Sequence, residues 1–413
     1  MHKMDMRSRN QYLKALLGRY LKARKRGKTS ILNEYCQNTG LHRKSAIRNI
    51  TRFFREETRP RKKKTPIYGH LVKTALETAW EIFDRPCGQR LKPLLEEEVD
   101  RLRRQRELKI DDRTARKLKT ISPATIDRLL QPQKAVWVTH KPFGSPGPNL
   151  IAKKIPIRLT NWNLAQVGFL EMDLVLHGGA STEGDFGHSL SALEISSGWW
   201  EGEVVMGRSQ VRIFKGINEI RNRTPFIWRG IDTDNDNAFI NNQLYRYTEK
   251  ESLDFTRSRP YRKNDNARIE QKNYTHVRRP LGYLRYDTPE ELNLINDLYH
   301  HELRLFKNFF QPVMRLKKKE RVDGRLQRQH EPARTPYRIL RESGQLSEQQ
   351  IKTMDDLYRD LNPAELKRQI EKKLNKLYAL YEKKKKRVLQ VNPYQNADPS
   401  SVTFFMIQQP HVR

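Results

Sequence analysis

Cysteine is nearly absent: 413 residues carry only Cys36 and Cys87. Neither belongs to a Cys-x-x-Cys pair, so neither a thiolate zinc site nor a disulfide framework is expected, and a reducing, cytoplasmic setting is. Long apolar runs are missing as well. No stretch reaches eighteen apolar residues and no leader-like pattern of charged, apolar and small residues is present, so no membrane partner is expected. Acidic residues are the minority, 48 against 81 lysines and arginines, for a net charge of +33. Spread along nearly the whole length, such an excess works against the compact state unless a polyanion neutralises it. The chain is long enough for two to four domains.

What is there begins with helices. Tyr12, Leu13, Leu16, Leu17, Tyr20 and Leu21 recur at helical spacing and predict a basic helix over residues 11–22. A second helix is expected from Ser30 to about Gly40 and a third from Leu41 to Phe54. Cys36, Gly40 and Ala46-Ile47 have the order of a helix-turn-helix: small residue, turn glycine, apolar contact. The third helix would then present Arg43, Lys44, Ser45, Arg48 and Asn49 outward. Residues 1–58 are accordingly read as a helix-turn-helix DNA-binding domain in which Arg43, Lys44 and Arg48 touch DNA, and 59–66 as a cationic, proline-punctuated linker.

Residues 67–132 form a second helical block. Ser122-Pro123 is an N-cap followed by proline at the first helical position, and with residues 113–119 as the preceding helix it predicts a second helix-turn-helix-like DNA-binding domain. Ser122, Thr125 and Arg128 are its candidate DNA contacts; a purely packing role for one of the two modules stays open. Residues 133–160, with Lys141-Pro-Phe-Gly-Ser-Pro-Gly-Pro148, read as a linker.

The central chemistry lies in three segments. Val167-Gly-Phe-Leu-Glu-Met-Asp-Leu-Val-Leu-His177 alternates like a half-buried strand and embeds Asp173 among apolar neighbours, where a carboxylate is costly unless paired or metal-bound. Gly230-Ile-Asp-Thr-Asp-Asn-Asp-Asn-Ala-Phe-Ile-Asn-Asn242 places carboxylates and amides after an apolar segment. Asp232, Asp234 and Asp236 follow at period two, so in an extended strand all three share one face. Arg259-Pro-Tyr-Arg-Lys-Asn-Asp-Asn-Ala-Arg-Ile-Glu-Gln-Lys-Asn273 reads as a strand end, a turn and a helix carrying Glu270. Further strands are expected at 188–195, 199–206 and 225–231, with a helix at 210–221. Trp199-Trp200 is read as core or edge packing.

Asp173, Asp234 and Glu270 in these contexts, with Thr233-Asp-Asn-x-x-x-Phe-Ile-Asn241 and Arg-Pro-Tyr-x-x-Asn-Asp-Asn-x-x-x-Glu270, resemble the retroviral-integrase-type core of bacterial insertion-sequence transposases. The chain departs from that pattern at Asp236 and Ala238, where the family usually has glycine and an acidic residue. The resemblance implies a multidomain protein: α-helical helix-turn-helix modules, an α/β ribonuclease-H-like integrase core over 161–311, and a mostly helical C-terminal region.

It also implies a DNA transposase or integrase in which Asp173, Asp234 and Glu270 are catalytic and bind two Mg²⁺ (or Mn²⁺) ions for cleavage of transposon ends and strand transfer by the freed 3′ hydroxyl. The implied partner is double-stranded DNA, both element ends and target, with a homo-oligomer assembled on it. A transposase-derived DNA-binding regulator without catalysis and a ribonuclease-H-like metal nuclease are the alternatives. Around Glu270, Lys263 before it and Lys272 and Arg279 on the helix after it are the candidates for holding substrate phosphates.

Residues 312–385 form a basic and helical C-terminal region. Its segment 314–328 reads as a β-rich DNA contact or a solvated connector. Leu366, Ile370, Leu374, Leu377 and Tyr381 make an apolar stripe expected to meet a partner helix. Lys383 to Arg387 and the tail, 386–413, are expected to be flexible. His300 and His301, being adjacent, face different directions and are expected to be hydrogen-bonded or solvated, not joint metal ligands.

Overall fold

A computed structural model describes residues 4–58, 67–135, 166–181, 183–234, 236, 238–239, 242–258, 267–322 and 325–390. The chain divides into two units, residues 1–67 and 68–413.

The first unit has three helices, α1 (Met6–Lys22), α2 (Lys25–Thr39) and α3 (Arg43–Thr58). Asp5 caps α1 by accepting from Ser8 N at 2.6 Å. The predicted stripe is inside: Leu13, Leu16 and Leu17 pack with Ile31, Leu32, Tyr35, Ala46 and Ile50. The second helix starts earlier than expected, because extended Arg24 ends the turn and Ser30, read as a helix start, sits within the helix. Gly40 ends it in the left-handed conformation, φ 67°, donating to Cys36 O at 2.9 Å. Arg43, Lys44 and Arg48 are exposed on α3; Ser45 and Asn49, expected outward too, are half-buried.

The second unit opens with α4 (His70–Ile82), α5 (Gly88–Arg104), α6 (Asp112–Thr120), α7 (Pro123–Leu129) and α8 (Gln131–Ala135). Ser122 caps α7 through Thr125 N, as its sequence predicts. This block shares one hydrophobic core with the sheet that follows, through side chains such as Leu76, Leu91 and Leu95.

The sheet has β1 (Phe169–Leu176), β2 (Gly187–Glu194), β3 (Trp200–Met206), β4 (Gly230–Thr233) and β5 (Asp254–Arg257), with α9 (Gln210–Arg223) before β4 and α10 (Asn242–Lys250) before β5. The strand order is β3-β2-β1-β4-β5. The first three strands are antiparallel, while β4 and β5 run parallel to β1 and to each other. This mixed α/β core agrees with the ribonuclease-H-like order that the resemblance implies. β4 lies later than the predicted 225–231: Pro225 has no N–H for a ladder, and pairing begins where Gly230 lets β4 fit between its neighbours. A Cβ there would lie 2.8 Å from Phe169 and 2.9 Å from Asp254 O.

Helices α11 (Ala267–Lys272) and α12 (Arg279–Leu281) are joined by a π-helical turn, Asn273–Arg278. A second π-helical turn, Tyr299–Leu303, joins α13 (Pro289–Leu298) to α14 (Arg304–Phe310). Then come the hairpin β6 (Leu316–Val322) and β7 (Arg325–His330), and helices α15 (Pro336–Glu342), α16 (Glu348–Asp360) and α17 (Pro363–Gln390).

The α17 stripe is not a free surface. Leu366, Ile370 and Leu377 are buried in the unit's own core. Nor is the lysine run loose, since helix extends through it and Lys384 pairs with Asp287 and Glu291, both at 2.8 Å. Residues 391–413 lie outside the described residues. Among those described, no helix is long and apolar enough to cross a membrane.

Candidate active site

Pairing of β1 with β4 sets Glu171 opposite Asp232 and Met172 opposite Thr233. One residue further, just past the end of β4, Asp234 lies near enough to Asp173 for its charge to act on that carboxyl. The strand does not continue to Asp236 as the period-two reading supposed. Asp234 Oδ1 accepts from Asp236 N at 3.0 Å, and this local turn takes Asp236 out of the row. Asp236 then accepts from Ala238 N at 2.9 Å and lies 3.7 Å from Arg208. Buried Ala238 and Phe239 anchor the loop. Asp232 stays within β4, almost fully buried, accepting from Thr256 Oγ1 on β5.

Glu270 reaches this face from α11. Three residues on, Asn273 donates to Asp173 Oδ2 at 2.7 Å, while Leu174 N donates to Oδ1 at 2.8 Å. Burial and the charge of Asp234 push Asp173 up to about 7, with smaller contributions from Glu270 and Asp236. Burial likewise pushes Asp234 up to about 6, helped by Asp236 and opposed by the hydrogen bond from Asp236 N. Among the described residues no lysine or arginine lies within ion-pair distance of Asp173, Asp234 or Glu270. The structure thus brings together carboxylates that, among the described residues, have no ion-pair partner, the charge of Arg278 acting on Asp173 from further away. They are hard oxygen donors suited to a divalent ion, although among the described residues no three His, Cys, Asp or Glu side chains already form a cage.

The other candidates lie elsewhere. Lys272 sits two positions from Glu270 and therefore well round the helix, in a cavity on its other side with Arg90 and Lys307. Burial, with the charges of those two groups, pushes its ammonium down to about 7. Arg279 pairs with Asp84 at 3.5 Å. Neither is beside the carboxylates. Lys263 falls outside the described residues. On α7, Arg128 is exposed, and Ser122 Oγ accepts from Thr125 N at 3.3 Å and donates to Thr125 Oγ1 at 3.0 Å, a capping arrangement. Asn273 was missed by sequence reasoning; its three-residue spacing from Glu270 was the available signal.

His300 is bonded to Glu203 at 2.6 Å and His301 lies 3.7 Å from Asp297, so neither joins this site. Trp199 and Trp200 are buried, and Trp200 donates to Ser191 Oγ at 2.8 Å.

No family model matches the chain. A relative, the uncharacterized protein y4rM of Sinorhizobium fredii, is 34% identical over 335 residues, covering 81% of this chain and 95% of its own. Among solved structures, the catalytic core domain of BIV integrase matches with a TM-score of 0.29 and 16% identity, over 43% of this chain and 95% of that one.

Proposed function

The chain belongs to the family of that Sinorhizobium protein, and for it we propose a DNA transposase or integrase that cleaves element ends and joins the 3′ hydroxyl to target DNA. The observation that carries this reading is the juxtaposition of Asp173, within β1, with Asp234, just past the end of the adjacent β4, within electrostatic reach of Glu270 and, among the described residues, without an ion-pair partner. Asp173 and Asp234 would hold Mg²⁺ or Mn²⁺, with Glu270 completing the donor set. Bound there, the metal would supply Lewis-acid polarisation of the scissile phosphate and activation of the attacking oxygen.

The chain's own residues do the rest. Asn273 fixes the rotamer of Asp173, leaving its carboxylate oriented before substrate arrives. The turn after β4 holds Asp234 near it. Exposed Arg43, Lys44 and Arg48 on α3 would grip duplex DNA, dividing base and phosphate contacts among them. Joining two ends to one target needs two such carboxylate sets, so the active species would be a homo-oligomer on DNA. The surface for it is not the α17 stripe, which the unit's own core uses.

The test is purified protein with Mg²⁺ or Mn²⁺ and duplexes from the DNA flanking its own gene. Nicked ends and 3′ joining to a second duplex are expected. Binding without cleavage would leave the non-catalytic regulator, and cutting confined to RNA or hybrid duplexes would leave the nuclease.

A further inference from the structure

The back of the Glu270 helix lines a second space. While Glu270 and Asn273 turn toward β1, residues on the other side, including Lys272 and His276, face a cavity of about 1150 Å³. Its other walls include the loop between α4 and α5, the start of α5, the end of β2 and the turn after it, α14, the approach to the β6–β7 hairpin, and α15. Eight lysine and arginine side chains line it against four carboxylates.

Those four are already used. Glu331 pairs with Arg315 at 2.7 Å and Glu342 with Arg334 at 2.6 Å. Glu194 is enclosed by hydrogen bonds from Ser196 and Ser197. Asp84 is shared by Lys367 at 3.1 Å, Arg279 at 3.5 Å and Lys307 at 3.6 Å. What is left over is positive. Arg90 gives its Nε to the Pro312 carbonyl and, among the described residues, has no carboxylate within ion-pair distance. The Lys272 ammonium makes neither an ion pair nor a hydrogen bond among them. Lys307 is almost fully buried beside both.

Cations gathered in a half-enclosed space repel one another and lose hydration, a cost that a bound anion would offset. A merely basic surface keeps its charges in water and separated. The His276 ring, buried at the same wall, is held well below its ordinary range by burial and then by Lys272, Lys307 and Arg90, so it is a neutral polar group there.

We propose that this cavity binds a phosphate-bearing anion, held by Arg90, Lys272 and Lys307. The ligand chemistry is a phosphate oxygen set, supplied either by a nucleic-acid strand or by a free anion such as pyrophosphate. The site is separated from the carboxylates by the thickness of a helix, about 10 Å, and does not depend on their role.

The test uses the full chain without divalent metal: its melting temperature is followed against inorganic pyrophosphate at constant ionic strength. A saturable rise is expected for the wild type, with apparent affinity lower by about tenfold or more in Arg90→Gln and Lys272→Gln. Lys215→Gln, removing an exposed charge on α9, should respond like the wild type. Lys272→Met guards against misfolding as the explanation: without a repelled charge the free protein should melt at or above the wild-type temperature, yet its response should be lost.

A short single-stranded oligonucleotide that displaces pyrophosphate identifies strand phosphate as the occupant; failure to displace assigns the free anion, and the site stands in both cases. An undiminished response in Lys272→Met, or an equal loss in Lys215→Gln, would overturn the proposal and reduce the effect to screening of a basic surface.

Discussion

Two sets of carboxylates sit on one sheet and are treated oppositely. On β3, Glu201 accepts from Trp199 Nε1 at 2.8 Å and Arg304 Nε at 2.6 Å, with Arg223 3.6 Å away; Glu203 meets Arg223 at 3.0 Å and His300 at 2.6 Å. On β1 and after β4, Asp173 and Asp234 have amide and backbone donors but, among the described residues, no arginine within ion-pair distance. The register places Asp173 beside Ser191 and Gly202, so Glu201 and Glu203 point to the other face. Among the described residues, one set is paired with the chain's own cations and the other has no ion-pair partner, which is the arrangement the proposed metal role requires. Burial alone does not separate a structural carboxylate from a reactive one; the partner does.

Breaking the unbalanced set should give the largest effect on activity. Asp173→Asn and Asp234→Asn are expected to reduce metal-dependent DNA cleavage below detection, while the melting temperature stays at or above that of the wild type, because a repelled charge is removed. Glu270→Gln should lose cleavage in the same way. Loss of folding in the two Asp variants, seen by calorimetry, would put Asp173 and Asp234 in the structural class with Glu201.

Breaking the balanced set should do the reverse. Arg304→Ala leaves Glu201 buried without its nearest cation and also removes the donor to Arg223 O at 2.7 Å. About 3–5 kcal/mol of stability should go in urea denaturation, with cleavage per folded molecule retained. An Arg304→Ala protein as stable as the wild type would mean that Arg223 and Trp199 suffice for Glu201.

The same comparison sets a pH dependence. Asp173 is raised from 3.8 to about 7 and Asp234 to about 6, so the folded chain binds protons there that the unfolded chain has released. Their contribution to stability is therefore fully present below about pH 4 and is lost as pH rises through 6 to 7, amounting to a few kcal/mol. A divalent ion competes with those protons. Stabilisation by Mn²⁺ should grow between pH 5.5 and 8 in the wild type and grow less, over a lower pH range, in Asp173→Asn, where only Asp234 is left to titrate, as read from melting curves of both proteins. An equal pH trend in the two would remove Asp173 as the titrating ligand.

How much of this was legible in the residues differs from element to element. Asp173 stood out because alternation left one carboxylate in an apolar strand, and the first three strands, helix α9 and a following strand were read from periodicity, whereas helix α10 and strand β5 were not. Glu270 was visible only through its motif context, since an exposed glutamate on a short helix has no physical signature of its own. The α17 stripe was legible as apolar, but its destination was not: whether Leu377 meets its own core or a partner is decided by distant α13 and α14. The cationic cavity was hidden for the same reason, because Asp84, Lys272 and Lys307 are far apart in sequence. Helical block 70–130 carried cap and turn signals similar to those of residues 6–58, yet Arg101 ties it to the C-terminal region through Tyr358 O at 2.8 Å and a cation–ring distance of 4.2 Å.

The smallest effect should come from the flanking aspartates, and it fixes where the unbalanced set ends. Asp232 is enclosed on β4 and bonded to Thr256, so Asp232→Asn keeps an acceptor for that hydroxyl and should change cleavage little, with a modest change in stability. Asp236 caps the turn that orients Asp234, and its charge contributes to the raised value of its neighbour. Asp236→Asn can still accept from Ala238 N but removes that charge; cleavage should persist, with a lower pH midpoint for metal binding. Single-turnover cleavage of the two variants beside Asp234→Asn decides the matter. A loss in Asp236→Asn as complete as that in Asp234→Asn would move the ligand from the strand end into the turn, and the Asp173–Asp234 pair would no longer define the site.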